Sequence, residues 1–364
     1  MNVKVFRRAA VFGALVLLVV AAWITIVGSE GARRSADSER NSSVALASAR
    51  GGEAGAPAGS AMRQQESDRY SMGDRAQTRR EQPDYADVPY GPHERNRLDI
   101  WLADSDAPTP LVVHFHGGGF RSGDKRSFKK KLLKRLLATG ISVASVNYRL
   151  SATAAYPAQM HDGARALQFL RHHAARYNID PQQVAATGVS AGGGISLWLA
   201  FHDDMAEPKS RDPIARQSTR VSAVVAYETQ TTYDPREIMA LFNTSRVDGA
   251  LIPFFGMRSA EDVDDPRYHS LFHDASSINH LTRDDVPVML YYSQADKPLK
   301  PDSHGGEHIH HPRFGHLLKA KMDSLGIECV MKLREDYRNG AGNMIQDSVE
   351  FFVKAIGGKT VSGR

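Results

Sequence analysis

Val184-Ala185-Ala186-Thr187-Gly188-Val189-Ser190-Ala191-Gly192 is the stretch that decides the fold. A short apolar run ends in Gly-x-Ser-x-Gly, the sharp strand-to-helix turn that lifts a serine hydroxyl clear of a sheet. The flanking glycines matter because a side chain there collides with the neighbouring strand or helix. A second apolar run, Leu111-Val112-Val113-His114-Phe115, leads straight into His116-Gly117-Gly118-Gly119-Phe120, and His116 lies 74 residues before Ser190. Backbone N–H groups in such a glycine run can face an oxyanion because no side chains block the approach. Gly-x-Ser-x-Gly alone is common by chance; the pair in this order, each at a strand end, is specific.

Working outward, Arg97–Leu102 alternates polar and apolar like a half-buried strand. Strands are also predicted over 141–146, 221–227, 288–292 and 328–333. Helical spacing covers about 129–138, 159–177, the segment bearing Trp198 and Leu199, 313–325, and about 346–356. Strands alternating with helices imply an α/β fold: a mainly parallel sheet with helices on both faces. Residues 228–285 fall between two sheet strands and exceed a normal loop, so they read as a small cap insertion carrying an acyl pocket, or as a peripheral helical insert with its own core.

The chain has 364 residues, 41% hydrophobic and 24% charged, the composition of a globular protein. Its formal charge of +5 is uneven: residues 1–82 carry 12 Lys/Arg against 8 Asp/Glu, leaving 34 against 33 for the rest. The body shows no basic stripe interleaved with aromatics, which argues against nucleic-acid binding. The single cysteine, Cys329, excludes a disulfide framework and reads as core packing. Lys4, Arg7 and Arg8 precede an apolar run from Ala9 to Gly28, so 1–28 reads as a signal peptide or a signal-anchor helix. Positive charge before the run places the body on the far side of the membrane, exported and either anchored or released by cleavage. Residues 29–83, rich in Ser, Ala, Gly, Arg and Glu, read as a disordered linker, leaving 84–360 as the folded domain.

With these motifs in place, the chain from about Tyr90 to Ile356 resembles α/β-hydrolases of the bacterial esterase/lipase type, close to the hormone-sensitive-lipase-like and feruloyl-esterase-like groups. Ser122-Gly123-Asp124-Lys125, Asn147-Tyr148-Arg149-Leu150, Tyr156-Pro157 and Asp162 add to the likeness. Arg149 and Asp162 read as structural braces beneath the site. The resemblance implies Ser190 as nucleophile, with an oxyanion hole from the N–H groups of Gly117, Gly118 and Ala191. It places an acid after the 288–292 strand, where Asp296 stands, with Asp302 as runner-up; Asp284 and Asp285 lie at the wrong end of that strand.

The family's base histidine belongs in the loop after the last strand. Here that loop, Glu335–Asn343, contains no histidine, and Asn343 occupies the expected place. A neutral amide cannot take the serine proton. Ser303-His304-Gly305-Gly306-Glu307-His308-Ile309-His310-His311-Pro312 offers a substitute, because that loop emerges on the same sheet edge as Ser190. His310 is the first choice of base and His308 the second. The same cluster is also readable as a structural or substrate-contacting loop, or as a metal site using His304, Glu307, His308 and His310, although it lacks recognised ligand spacing. No cofactor or metal is assigned. The implied activity is a serine carboxylesterase acting on a small or polysaccharide-linked acyl ester; the competing reading is a catalytically impaired binding protein.

Overall fold

The computed structural model describes residues 82–300, 303, 305–340 and 342–358. The N-terminal segment 1–28 and nearly all of the 29–83 linker lie outside them, as do Asp302 and His304. Among the described residues no helix is long and apolar enough to cross a membrane.

The sheet is built from β1 (Tyr85–Pro89), β2 (Arg97–Trp101), β3 (Thr109–Phe115), β4 (Ser142–Val146), β5 (Ile179–Val189), β6 (Val224–Tyr227), β7 (Val288–Tyr292) and β8 (Cys329–Leu333). Its order is β1-β2-β4-β3-β5-β6-β7-β8. The first two pairings, β1 with β2 and β2 with β4, are antiparallel; all the others are parallel. This is the α/β-hydrolase fold. The β5 strand starts five residues earlier than its apolar run, because Ile179 already pairs with Thr109 ahead of a register shift.

Side-chain alternation assigns the two faces. Leu111, Val113, Phe115, Ala186, Val224 and Leu290 enter one cluster, covered by α2 (Ala158–His172), α3 (Ala191–Phe201) and α8 (Arg313–Leu325). Val112, Val143, Ala185, Val225 and Met289 enter the other, covered by α1 (Lys130–Ala138) and α9 (Met344–Ile356). Helix α1 shows why: Leu132, Leu133 and Leu136 are buried while its lysines face outward. Cys329 is buried and reduced.

The insertion holds α4 (Pro235–Phe242), α5 (Leu251–Phe255) and α6 (Pro266–Ala275) with short 3₁₀ turns. Its apolar side chains, among them Ile238, Phe254 and Phe272, belong to the same cluster as the sheet face rather than to a core of their own. Phe254 stacks on Phe120 of the glycine motif with ring centroids 4.0 Å apart, and a Cβ at Gly119 would lie 3.3 Å from Ala250. Stacking of this kind adds about 1 kcal/mol beyond burial. Between β7 and α8 lies a four-residue helix, α7 (Gly305–His308).

Candidate active site

The chain runs from β3 to β4 on one side, then crosses to β5 on the other, so β3 and β5 are neighbours at a switch in strand order. Crevices at the carboxyl ends of such strands are the usual ligand sites of open α/β sheets. Phe115 pairs with Gly188, which brings the glycine run after β3 against the serine turn after β5.

Ser190 takes φ 54°, ψ −121°, between the end of β5 and the first turn of α3. A non-glycine residue in this region stores about 1–3 kcal/mol and must be held. Three hydrogen bonds hold it: Ser190 N donates to Tyr227 O (2.8 Å), Gly194 N donates to Ser190 O (3.0 Å), and Thr229 Oγ1 donates to the same carbonyl (3.2 Å). A Cβ at Gly192 would overlap the carbonyl oxygen of Phe115, so only glycine lets helix and strand approach this closely. Gly117 abuts the turn; a Cβ there would lie 2.9 Å from Val189 O and 3.5 Å from Ser190 Cβ. Ala191, first residue of α3, has an N–H that no intrahelical carbonyl can accept. Gly118 adopts φ +117°, open to glycine alone.

The residues beneath this loop form a brace. His116 is fully buried, with Nδ1 donating to Gly117 O (2.8 Å) and Nε2 accepting from Arg95 Nη2 (3.2 Å). Burial, together with the Arg95 charge, outweighs the carbonyl contact and lowers its pKa to about 4, so the ring is neutral near pH 7. Tyr148 stacks on it at 4.3 Å and donates its hydroxyl to His116 O (2.7 Å). Arg149 grips Asp162 through two nitrogens (2.7–3.0 Å), and the backbone N of Arg149 donates to the same carboxylate (2.8 Å). Asp124 accepts from Asn147 Nδ2 (3.0 Å), while buried Lys125 bridges Asp87 (2.8 Å) and Asp99 (2.7 Å). The Ser122–Lys125 and Asn147–Leu150 segments are therefore scaffolding that ties β1, β2 and β4 to the glycine loop.

On the opposite side, His310 Nε2 lies 2.9 Å from Ser190 Oγ. Its ring is half-buried. Burial lowers its pKa, while the negative charges of Glu228 and Asp248 act in the raising direction. His308 packs face to face on Phe242 at 5.1 Å, and His311 donates from Nε2 to Lys297 O (2.8 Å). Among the described residues, His310 is the histidine bonded to the serine.

Asp296, the expected acid, is placed against another histidine. Its Oδ2 accepts from His316 Nε2 at 2.7 Å, one turn into α8, rather than from His310. Both side chains are exposed, so the pair forms at the protein surface. Asn343 accepts from Gln346 N (2.9 Å) as the N-cap of α9. The position expected to hold a base is thus a helix terminus.

The family model for BD-FAE matches residues 98–304, more than half of the chain. The chain belongs to that family. Esterase LipQ of Mycobacterium tuberculosis is 30% identical over 225 residues, covering 60% of this chain and 50% of LipQ. The probable carboxylic ester hydrolase LipM of the same organism is 28% identical, covering 58% and 49%. The chain spans about half the length of these curated relatives. Among solved structures, an acetyl ester-xyloside bifunctional hydrolase from Caldicellulosiruptor lactoaceticus superposes with TM-score 0.59 at 20% identity, covering 75% of this chain and 97% of its own. A propionate-bound thermophilic esterase from Thermogutta terrifontis gives 0.54 at 18%, covering 76% and 96%. These two likenesses concern the fold.

Two contributors lie outside the motifs that the sequence displays. Arg95, in the loop before β2, locks His116, Gly123 O (3.0 Å) and Tyr148 O (2.8 Å) together. Glu228 follows β6 with φ 53° and accepts from Ser293 N (2.9 Å). It sits between Tyr227 and Thr229, the two residues that hold Ser190. Its positive φ, uncommon for glutamate, has no sequence signal.

Proposed function

We propose that the chain is a serine carboxylesterase that hydrolyses small acyl esters through an acyl-enzyme intermediate. The observation that carries this reading is the 2.9 Å approach of His310 Nε2 to Ser190 Oγ. Curated relatives named as esterases agree with it. In this reading Ser190 Oγ attacks the ester carbonyl carbon while its proton passes to neutral His310. The resulting oxyanion accepts hydrogen bonds from the N–H groups of Gly117, Gly118 and Ala191, and loss of one such donor typically costs about 3 kcal/mol. Collapse breaks the bond to the leaving alcohol, which takes the proton from His310. Water then repeats the sequence on the acyl-serine and releases the acid. Burial keeps His310 neutral near pH 7, and Glu228 and Asp248 supply negative charge that favours the imidazolium as it forms.

For the substrate we propose an acetyl or aromatic acyl group on a polysaccharide. Support comes from the esterase resemblance and from fold neighbours titled as an acetyl ester-xyloside hydrolase and a carbohydrate esterase. The Phe254–Phe120 stack joins the insertion to the glycine loop. We also propose export, on the basic residues and apolar run of 1–28; cell fractionation with a tagged full chain tests it.

The test is hydrolysis of p-nitrophenyl acetate by the full chain, with Ser190→Ala and His310→Ala. Each substitution should lower kcat by about 10⁴-fold or more. Folded wild-type protein no faster than buffer would overturn the esterase reading for simple esters. Turnover surviving Ser190→Ala would remove the acyl-enzyme. One observation favours a second reading, an impaired enzyme that binds its ligand: Asp296, the acid the family pattern expects, is engaged by His316. Ester binding without turnover in the same assay would select it.

A further inference from the structure

At the far end of α3 from Ser190, three side chains from separate segments converge. His202 caps the C-terminus of α3, Asp274 belongs to α6 of the insertion, and His280 follows the next 3₁₀ turn. Helix α3 has 11 residues, so this cluster is about 16 Å along the helix from the nucleophile. One ligand atom from each residue lies within 4.8 Å of the others.

We propose that His202, Asp274 and His280 form a divalent metal site, suited to Zn²⁺, that staples the inserted helix α6 to the nucleophile helix α3. Asp274 Oδ1 is 3.8 Å from His202 Nε2 and 3.7 Å from His280 Nε2. Ligand atoms around a tetrahedral Zn²⁺ with bonds of about 2.0–2.1 Å are separated by about 3.4 Å, so Asp274 Oδ1 closes by only a few tenths of an ångström on each ring, while His280 turns from Asp274 O toward the ion. Two imidazoles and one carboxylate are a borderline-soft donor set that matches Zn²⁺ better than Mg²⁺ or Ca²⁺.

The surroundings prepare these donors. His202 Nδ1 lies 3.0 Å from Asp203 O. A carbonyl only accepts, so Nδ1 carries a hydrogen and Nε2 is the nitrogen turned toward the Asp274 carboxylate, the arrangement a bridging metal ion needs. Trp198 stacks on the His202 ring at 4.0 Å and donates from Nε1 to Asp274 O (2.9 Å). Tyr156 donates its hydroxyl to Asp274 Oδ2, which leaves Oδ1 for the ion. Outer contacts of this kind orient ligands in built metal sites. His280 Nε2 donates to Asp274 O (2.7 Å). Metal binding exchanges that bond for coordination and moves the ring proton to Nδ1, with no net change in protons. The side chains of His202, Asp274 and His280 are 24%, 43% and 18% exposed, which leaves a solvent-facing position for a water as fourth ligand.

The test uses the full chain stripped with chelator and titrated with Zn²⁺ by calorimetry and thermal melting. One ion should bind, and at a hundredfold excess over Kd it should raise Tm by roughly 5 °C. His202→Ala and His280→Ala should each weaken that binding by about tenfold or more. Asp274→Asn, which keeps an acceptor for Tyr156, should do the same and covers the case of a histidine variant that fails to fold. His304→Ala, in the other histidine-rich segment, should change nothing. Absence of a Zn²⁺-dependent rise in the wild type, an equal rise in folded Asp274→Asn, or loss of binding in His304→Ala would each overturn the proposal. Ester hydrolysis is not part of the readout, so an inactive enzyme leaves the test intact.

Discussion

The oxyanion side of the site, between β3 and β5, and the base side, between β7 and α8, are held by different means. On the first, glycine contacts admit no side chain at Gly192, and Arg95, Tyr148, Asn147 and the Arg149–Asp162 pair fix the loop from below. On the second, His310 reaches the serine from the segment between a four-residue helix and Pro312, while Asp296 spends its hydrogen bond on His316. Backbone packing allows few sequences; a side chain reaching across a gap allows many. Motifs therefore accumulate on the first side, and the second has to be found in three dimensions.

The largest expected effect breaks the first side. Gly192→Ala places a methyl group against Phe115 O, backbone against backbone, with nothing flexible to yield. We expect a loss of about 4 kcal/mol or more and little soluble protein. A folded, active Gly192→Ala in denaturant melts would show that the two motifs are less tightly packed than described. Arg149→Ala comes next. It leaves the Asp162 carboxylate, 7% exposed, without its cation, but Arg149 itself is 31% exposed and partly screened. The expected cost is about 2–3 kcal/mol, at the lower edge for a broken buried pair. An unchanged urea midpoint would demote the brace to a surface contact.

The division also explains what could be read from the chain. The 288–292 strand and the 313–325 helix match their observed limits because apolar periodicity over a full element leaves little freedom. The antiparallel β1 escaped because most of its residues are exposed and it pairs along a single edge. Helices α4 and α6 did carry a signal: Asp234-Pro235 and Asp265-Pro266 each supply an N-cap carboxylate followed by proline in the first turn. Serine and glycine positions were legible because their geometry is local. Pro312 as a helix start puts His310 at the helix entry, but nothing in the sequence favours His316 as the partner of Asp296. That pairing depends on how α8 docks beside β7, a tertiary fact.

A smaller effect sharpens the base side by comparing two carboxylates. Glu228→Gln keeps an acceptor for Ser293 N but removes the carboxylate charge that acts more strongly on His310, that of Glu228 rather than Asp248. Ester hydrolysis should fall about tenfold, as the forming imidazolium loses that charge. On the proposed mechanism activity requires neutral His310 and is lost as pH falls through its pKa, which burial places below the ordinary value of about 6.5. Since Glu228 acts to raise that pKa, the acid limb should move to still lower pH in Glu228→Gln. Asp296→Asn should cost less than about threefold and leave the limb in place. A larger loss in Asp296→Asn than in Glu228→Gln would return the acid role to Asp296.

The smallest effect concerns the position where a base was expected. Asn343 accepts from Gln346 N and starts α9, whose Val349 and Phe352 pack against the sheet. Asn343→Ala should cost about 1 kcal/mol in a urea melt, the usual worth of an N-cap, with esterase turnover unchanged; Asn343→Asp should retain the stability. Asn343→His is the sharper probe. Imidazole caps helices poorly, so stability should fall as for alanine. Turnover should not rise, because His310 Nε2 already stands 2.9 Å from Ser190 Oγ. A gain in turnover on Asn343→His, abolished by Ser190→Ala, would mean that the loop after β8 still points at the serine and that His310 is the weaker of two solutions to the same proton transfer.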